Sequence, residues 1–448
     1  MKTSSLLLAG MTTVTLAMTS CKESNLFDKN DYQQLLKEHF PVENVDPIHD
    51  WTITRTVTAN VNLGNHAGEG CKIMVYTSDP KEKNAQLISD AFLTQTAYFK
   101  FTLPIASENE KVYVIGDTEK GRVIDGYYSI SGGRMSLTAS SPVTPSDDAA
   151  NVTAPQCGYI YCFEDNFPSY SDYDFNDLVL DVKMNKTRKT LAITVELRAV
   201  GTTKNIACAM RLNGVLASHI TNITKAPAEG KEEFGHNMNN QLVYQMYYKL
   251  PDDSETTLFS GISGNAAVLP LFNDAHYAIS LGKDVTNTGM RYKYNTVTDD
   301  NDMNAKSVSP PANVYTFTFA DGIESKINDF SFEDLDIFII EEYNGGMYEI
   351  HTFPYKSAQV LHNFTGDVPN FGNNNPYNDY FTWSLLIPDS YVSNGEVVPF
   401  RHTIEGLPIA KKRDNILGGA YYKFVDWAQD RYSNLDWYMY PEKEYVFE

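Results

Sequence analysis

The residues with the clearest chemical potential lie in one acidic segment, from Phe163 to Val182. The segment contains no Lys or Arg, and it holds the oxygen-bearing side chains Glu164, Asp165, Asp172, Asp174, Asn176, Asp177 and Asp181. Uncompensated carboxylates at this density repel one another, at a cost of roughly a few kcal/mol in a partly buried site. Because oxygen ligands suit hard cations and a divalent cation offsets that repulsion, we predict that these residues bind Ca²⁺.

The spacing within the segment resembles that of a calcium loop. From Asp172 to Asn176 the chain reads D-x-D-x-N, which reproduces positions 1, 3 and 5 of such loops. It is not an EF-hand, because Asp177 replaces the turn glycine and Lys183 replaces the bidentate glutamate. A site therefore needs Glu164 or Asp165 from the preceding strand. The alternative is a loop whose Asp and Asn side chains cap backbone N–H groups.

Two other groups of residues suggest chemistry less directly. Glu349 and His351 alternate along an extended segment and share one face of it, which suits metal or acid–base chemistry, or a histidine that is purely structural. Near the C-terminus, Trp427, Trp437 and Tyr438 suit a stacking platform that binds a glycan. The alternative for these three is a place in the core.

Sequence signatures of hydrolases and nucleotide-binding enzymes are missing. There is no G-x-S-x-G elbow, no HExxH pair and no P-loop. A carboxylate pair for glycoside cleavage is defined by its separation in space, so the sequence does not test for it. We predict no catalytic residue and expect a protein that is not an enzyme.

Patterns of alternating apolar and polar residues predict the elements that position these groups. Residues 51–63 alternate with only Arg55 breaking the apolar face, and similar runs follow at 71–77, 97–103, 111–116 and 126–138. Short strands at this spacing predict a β-sandwich domain over residues 44–139. Residues 140–156 are rich in Ser, Pro, Asp and Ala and predict a linker.

Strand patterns resume after the linker and predict a second domain over residues 157–448. They occur at residues 158–165, 177–184, 190–200, 206–212, 242–250, 315–321, 336–343 and 347–353. Residues 226–311 are predicted as a loop-rich insertion, and residues 420–432 as a helix. The prediction is thus a mainly β protein with two β-sandwich, jelly-roll-like domains and short peripheral helices.

Several stretches in this second region resemble a known family, the LruC domain. They are Phe163–Asp165 with Pro168 and Asp172–Asp181, then Asp336–Ile339, Tyr348–Pro354, Trp383–Pro388, Tyr422–Ala428 and Asp436–Tyr438. The matches occur in order and cover about residues 157–440. The resemblance implies a C-terminal domain of envelope lipoproteins whose function is uncharacterised, and it implies no activity.

The N-terminal residues predict export and a lipid anchor. Residues 1–20 have an early lysine, an apolar stretch and small residues directly before Cys21, which is typical of a signal peptide. The sequence up to Cys21 resembles the lipobox of bacterial lipoproteins, which implies acylation of that cysteine, with palmitate among the chains. The alternative is ordinary cleavage that leaves Cys21 free or in a disulfide. Residues 21–43 are predicted as a lipidated tether with a short amphipathic helix at 28–40.

These predictions place the protein at the bacterial outer membrane, on the cell surface or on the periplasmic face, in contact with the membrane only through lipid. The formal net charge of −21 disfavours nucleic acid and anionic head groups as partners. Glycan or protein ligands fit better. The other four cysteines, Cys71, Cys157, Cys162 and Cys208, are free or disulfide-bonded, and their spacing does not indicate zinc.

Three functions follow as hypotheses. The first is a lipid-anchored envelope protein with a calcium-supported β-sandwich that acts in adhesion, surface assembly or ligand display. The second is a glycan-binding accessory lipoprotein of a polysaccharide-uptake system, and the third is a carboxylate-dependent hydrolase.

Overall fold

The structure is a computed structural model. It describes residues 39–105, 111–144, 154–167, 171–235, 258–259, 265–283, 285–287, 290–297, 302–343, 346–352, 355, 360, 382–410 and 419–447. The predicted signal peptide, Cys21, most of the predicted helix at 28–40 and the predicted strand at 242–250 lie outside these residues. Within them, no helix is both long enough and apolar enough to cross a membrane.

In the described part of the chain, seven strands form the first sandwich. They are β1 (Thr54–Asn62), β2 (Cys71–Tyr76), β3 (Leu87–Leu93), β4 (Ala97–Pro104), β5 (Lys111–Thr118), β6 (Gly121–Ser129) and β7 (Arg134–Thr138). One sheet has the order β4-β1-β7 and the other the order β3-β2-β5-β6. Along β1, Val57, Ala59 and Val61 are buried in the core between the sheets while Asn60 and Asn62 are exposed, as the alternation predicts.

Sixteen further strands lie among the described residues of the second region. They are β8 (Tyr159–Phe163), β9 (Leu178–Lys186), β10 (Thr190–Ala199), β11 (Ile206–Leu216), β12 (Ile220–Pro227), β13 (Ala266–Phe272), β14 (Thr286–Asn287), β15 (Met290–Arg291), β16 (Lys293–Tyr294), β17 (Ala305–Lys306), β18 (Ala312–Phe319), β19 (Leu335–Tyr343), β20 (Gly346–His351), β21 (Ser384–Pro388), β22 (Ser390–Ser393) and β23 (Glu396–Pro399). The α-helices are α1 (Ala275–Ile279), α2 (Glu324–Asp329) and α3 (Phe424–Gln429). Single 3₁₀ turns lie at Gly64–His66, Ala217–His219, Phe332–Asp334, Trp437–Met439 and Lys443–Tyr445.

The second sandwich packs a six-stranded sheet against a four-stranded one. The first has the order β12-β18-β10-β9-β8-β21 and the second the order β13-β11-β19-β20. Every residue of β8 is buried, and all five belong to the larger core. The predicted mainly β fold with two sandwiches and short helices is confirmed. The domain boundaries stay a prediction.

Two details differ from the expected pattern. Strand β1 begins at Thr54, because the backbone turns at Trp51, where φ is 56°, and sends Trp51 and Ile53 into the core of the second sandwich. The region predicted as a loop-rich insertion contributes β13, which pairs with β11 in the four-stranded sheet. Pro270 inside β13 obscures this strand in the sequence, since proline normally argues against one.

Buried polar contacts join the two sandwiches. The backbone N–H of Lys186 donates to Asp90 Oδ1 at 2.7 Å, and its Nζ donates to the carbonyl of Lys100 at 3.2 Å. Burial lowers the pKa of Lys186 to about 8, although Asp90 opposes the shift. The four cysteines in the described part of the chain are free thiols.

Candidate metal centre

The acidic segment connects β8 to β9. These strands pair antiparallel, with Phe163 opposite Leu178, so Glu164 at the end of β8 lies beside the residues that precede β9. Tyr173 and Phe175 have left-handed backbones, with φ of 55° and 56°, a conformation that costs an L-residue roughly 1–2 kcal/mol. Both rings are buried in the core, so they anchor a loop whose acidic residues alternate with them.

Three carboxylates of this loop converge. Glu164, Asp172 and Asp174 each place one oxygen within 4.8 Å of the others. Glu164 and Asp174 are buried, whereas Asp172 is exposed and gives the group access to solvent. A group of carboxylate oxygens alone suits a hard cation such as Ca²⁺.

Backbone N–H groups hold the two buried carboxylates in place. Phe175 N–H donates to Glu164 Oε1. Asp174 accepts from Asn176 N–H at 3.2 Å and from Gly406 N–H at 2.7 Å. The capping role that the sequence offered as an alternative is therefore present, and the same capped side chains form the converging group.

A second pair of oxygens lies beside Gly201. Asn176 Oδ1 and Glu405 Oε2 are buried, and neither finds a hydrogen-bond partner in the described part of the chain. A Cβ atom on Gly201 would lie 1.9 Å from Asn176 Oδ1 and 2.9 Å from Glu405 Oε2, so position 201 has room only for glycine. A buried oxygen without a partner costs about 1–3 kcal/mol, and a bound cation removes that cost.

Two lysines neutralise part of the negative charge. Lys204 Nζ lies 3.3 Å from Asp165 Oδ1 and 3.4 Å from Glu341 Oε2. Lys293 pairs with Glu405. Asp165 is thus committed to a lysine, which makes it a weaker candidate ligand than the three converging carboxylates.

Burial and mutual repulsion disfavour the charged form of the buried acids in this loop. Burial is the largest cause that raises the pKa values of Glu164, Asp174 and Asp177 well above their usual range. Asp172 adds to the shift for Glu164 and Asp174, and Asp165 adds to it for Asp177. A cation that binds here competes with protons for these carboxylates.

Asp181 does not join the group. It lies four positions after Asp177 along extended chain, a distance of about 13 Å at roughly 3.3 Å per residue. Its carboxylate pairs with Arg198 on β10, and burial raises its pKa to about 6 although Arg198 opposes the shift. Asp181 therefore lies apart from the three converging carboxylates and has Arg198 as its charge partner.

The predicted aromatic platform is also corrected. Trp427 and Trp437 are 1% and 0% exposed, and they stack on each other with ring centroids 5.6 Å apart. Neither ring can present a face to a sugar, because both pack inside the larger core. Trp427 lies in α3, and Trp437 lies in the 3₁₀ turn that follows it. Tyr438 is also buried, but it lines a cavity.

His351 lies in β20 between two buried carboxylates. Its Nδ1 is 2.9 Å from Asp336 Oδ1 and its Nε2 is 3.1 Å from Glu349 Oε2. Burial lowers its pKa, but Asp336 and Glu349 outweigh that effect and raise the pKa to about 9. At neutral pH both ring nitrogens therefore donate, and the imidazolium is the charge partner of two acids inside the protein.

Sequence reasoning missed several residues around the converging carboxylates. They are Gly201, Lys204, Lys293 and Glu405. Each comes from a segment remote from residues 163–182, where nothing in the local spacing marks it. Only Gly201 carries a signal, since a glycine directly after a strand often marks a close approach of other atoms.

Comparison with known proteins adds a family and one solved structure. A putative lipoprotein from Bacteroides ovatus shares 15% sequence identity, and the match covers 84% of this chain and 98% of that chain with a TM-score of 0.45. No curated protein matches the chain. Residues 189–438 match the family described as "Domain of unknown function (DUF4842)", a span that includes more than half of the sequence. The chain therefore belongs to the DUF4842 family.

Proposed function

We propose that the protein is a lipid-anchored envelope protein whose larger β-sandwich is stabilised by Ca²⁺ bound in the loop between β8 and β9. The observation that carries the calcium proposal is the convergence of three carboxylate oxygens from Glu164, Asp172 and Asp174. Asn176, two residues after Asp174, carries a further oxygen that is buried without a partner among the described residues.

Two other acids of the predicted ligand set surround this group without joining it. Asp165 pairs with Lys204, and Asp177 Oδ2 accepts from the backbone N–H of Asp165 at 2.7 Å. Both place further carboxyl oxygens around the converging group, which makes an anionic ligand unfavourable there.

The chemistry of the donor set supports calcium over softer metals. All three converging groups are carboxylates, and the set includes no Cys or His. Ca²⁺ accepts six to eight oxygen ligands in flexible geometry, including bidentate carboxylates. Because Asp174 also accepts from Gly406 N–H, a cation on this group would link the β8–β9 loop to the segment that carries Glu405.

Calcium is expected to raise the melting temperature of the purified protein. At a free Ca²⁺ concentration of about 100 times the Kd, binding to the folded state alone adds about 2.7 kcal/mol to the free energy of unfolding. Thermal unfolding followed by circular dichroism, in excess CaCl₂ and in EDTA at pH 7.5, measures the difference. The variant Asp174→Asn should lose most of the response, whereas Glu229→Gln, on an exposed acid, should keep it.

The same melts have a defined pH dependence. Folding raises the pKa values of Glu164, Asp174 and Asp177 above the unfolded values of about 4, so the cation-free folded state binds protons more tightly than the unfolded chain. Its stability therefore falls as the pH rises above about 4. Ca²⁺ replaces those protons, so its effect should be larger at pH 8 than at pH 5. Identical melting temperatures in CaCl₂ and EDTA at both pH values would refute the calcium proposal.

The anchor is proposed from the lipobox-like sequence that ends at Cys21. In cells grown with radiolabelled palmitate, the wild-type protein should carry the label and sediment with membranes. Cys21→Ala should lose both properties, whereas Cys157→Ser should keep them. Label that persists in Cys21→Ala would contradict the proposal, and protease treatment of intact cells separates the cell surface from the periplasmic face.

The role of the anchored protein is proposed as adhesion, surface assembly or ligand display. The acidic chain and its two sandwiches support a binding role, and we also propose the narrower LruC-type assignment on the ordered matches over residues 157–440. A hydrolase is less well supported by the acidic group, because Glu164 and Asp174 are buried and hydrogen-bonded to backbone N–H groups. Such carboxylates suit a cation better than a substrate.

A further inference from the structure

A cavity of about 460 Å³ lies between the two sandwiches. Residues of β3 and β4 line one side, and residues of β8, β22 and the 3₁₀ turn at Trp437–Met439 line the other. Its volume falls within the range of about 300–1,000 Å³ that is typical of small-molecule sites. Tyr159 begins β8 and Glu164 follows its other end, so the cavity lies about 17 Å from the acidic group at roughly 3.3 Å per residue.

Three tyrosines line this cavity. The rings of Tyr391 and Tyr438 have centroids 6.3 Å apart and are nearly perpendicular, at 78°. Tyr159 and Tyr438 are only 4% and 3% exposed, yet the hydroxyls of all three tyrosines have no hydrogen-bond partner among the described residues. Because these hydroxyls are open to pairing and the rings beside them are apolar, the cavity suits a ligand that offers hydroxyl groups beside apolar faces.

The charges of the lining favour a neutral ligand. Asp389 and Asp436 line the cavity, and no Lys, Arg or His among the described residues does. Lys183 Nζ lies 3.6 Å from Asp389 and Lys423 Nζ lies 3.7 Å from Asp436, so each carboxylate is already compensated. An anion in this cavity would face two carboxylates and no basic side chain among the described residues of the lining. A purely apolar ligand would leave the polar groups of the lining unpaired.

A row of hydrogen bonds crosses the cavity wall from one sandwich to the other. Gln86 Nε2 donates to Ser390 Oγ at 2.9 Å. Ser390 Oγ in turn donates to Asp389 Oδ1 at 2.8 Å. A ligand that contacts this row touches both sandwiches at once.

We propose that this cavity binds a neutral sugar, one or two residues long. The apolar faces of the sugar pack against Tyr391 and Tyr438, and its hydroxyls pair with the tyrosine hydroxyls and with Asp389. The proposal is independent of the calcium proposal, since the two sites share no residue.

Calorimetric titration of the purified protein tests the inference. The probes are cellobiose, maltose, lactose and mannobiose, with glucuronic acid as the anionic comparison. We expect at least one neutral disaccharide to bind and glucuronic acid to bind at least about tenfold more weakly, which corresponds to about 1.4 kcal/mol. Absence of binding by all four disaccharides, or tighter binding of glucuronic acid, would overturn the proposal.

Variants of the lining separate this cavity from other surfaces. Tyr391→Ala should weaken binding of the best disaccharide about tenfold, because it removes one stacking face. Tyr438→Phe keeps the ring and the packing, and it should weaken binding through the lost hydroxyl. Tyr432→Ala, on a tyrosine that is 71% exposed and outside the cavity, should bind like the wild type. Unchanged binding in both lining variants would place the sugar elsewhere and refute the inference.

Discussion

Replacing Trp437 with alanine is expected to lower the free energy of unfolding by about 3–5 kcal/mol, the usual cost of truncating a buried tryptophan. Its ring is 0% exposed and stacks on Trp427 at 5.6 Å. It also meets the edges of Phe424 at 5.1 Å and Tyr421 at 5.2 Å. The cavity left by the truncation cannot collapse easily, because rigid aromatic rings surround it.

Urea unfolding at constant pH and calcium concentration measures this loss. Trp437→Phe should cost less, because it keeps an aromatic ring and removes an indole N–H that has no partner in the described part of the chain. Tyr432→Ala should change stability by no more than about 0.5 kcal/mol, as surface substitutions usually do. A wild-type stability for Trp437→Ala would contradict the core position of this residue.

The same aromatic cluster reaches the first described residues. Trp51 lies 5.5 Å from Trp427, and Phe40 lies 5.9 Å from Trp51. His49 donates to the carbonyl of Trp427 at 2.8 Å. Loss of Trp437 should therefore loosen residues 40–53 as well as α3, which hydrogen exchange can detect.

Replacing His351 with leucine is expected to cost about 3–5 kcal/mol at pH 6, because the change leaves two buried carboxylates without their cation. The side chains of Asp336, Glu349 and His351 are almost completely inaccessible to solvent. Leucine fills similar space, so the loss comes mainly from the charges. His219→Gln, on a histidine outside this group, should have a much smaller effect.

The cost of losing His351 should depend on pH in a defined direction. The folded-state pKa is raised to about 9 from an unfolded value of about 6.5. The imidazolium therefore contributes its full stabilisation below pH 6.5, and this contribution is lost as the pH rises through 9. The difference in free energy of unfolding between wild type and His351→Leu should shrink between pH 6.5 and pH 9.5. A constant difference would mean that the histidine is not charged in the folded protein.

Local patterns predicted much of the fold and part of the candidate site. The alternation along residues 51–63 predicted β1 to within three residues of its start, because each strand residue responds to the face it occupies. Glu164, Asp172 and Asp174 were predicted together, since antiparallel pairing of β8 and β9 returns neighbouring segments to one place. β13 was missed, because Pro270 within it argues against a strand.

The sequence by itself determined the mainly β architecture and the density of acids in one loop, because both follow from the order of residues within short segments. Only the tertiary structure decided which acids converge: it carried Asp181 away along β9 toward Arg198 and brought Glu405 to Gly201. It likewise buried Trp427 and Trp437 and opened a cavity between the sandwiches. These outcomes depend on the packing of distant segments, and residue spacing along the chain carries no record of that packing.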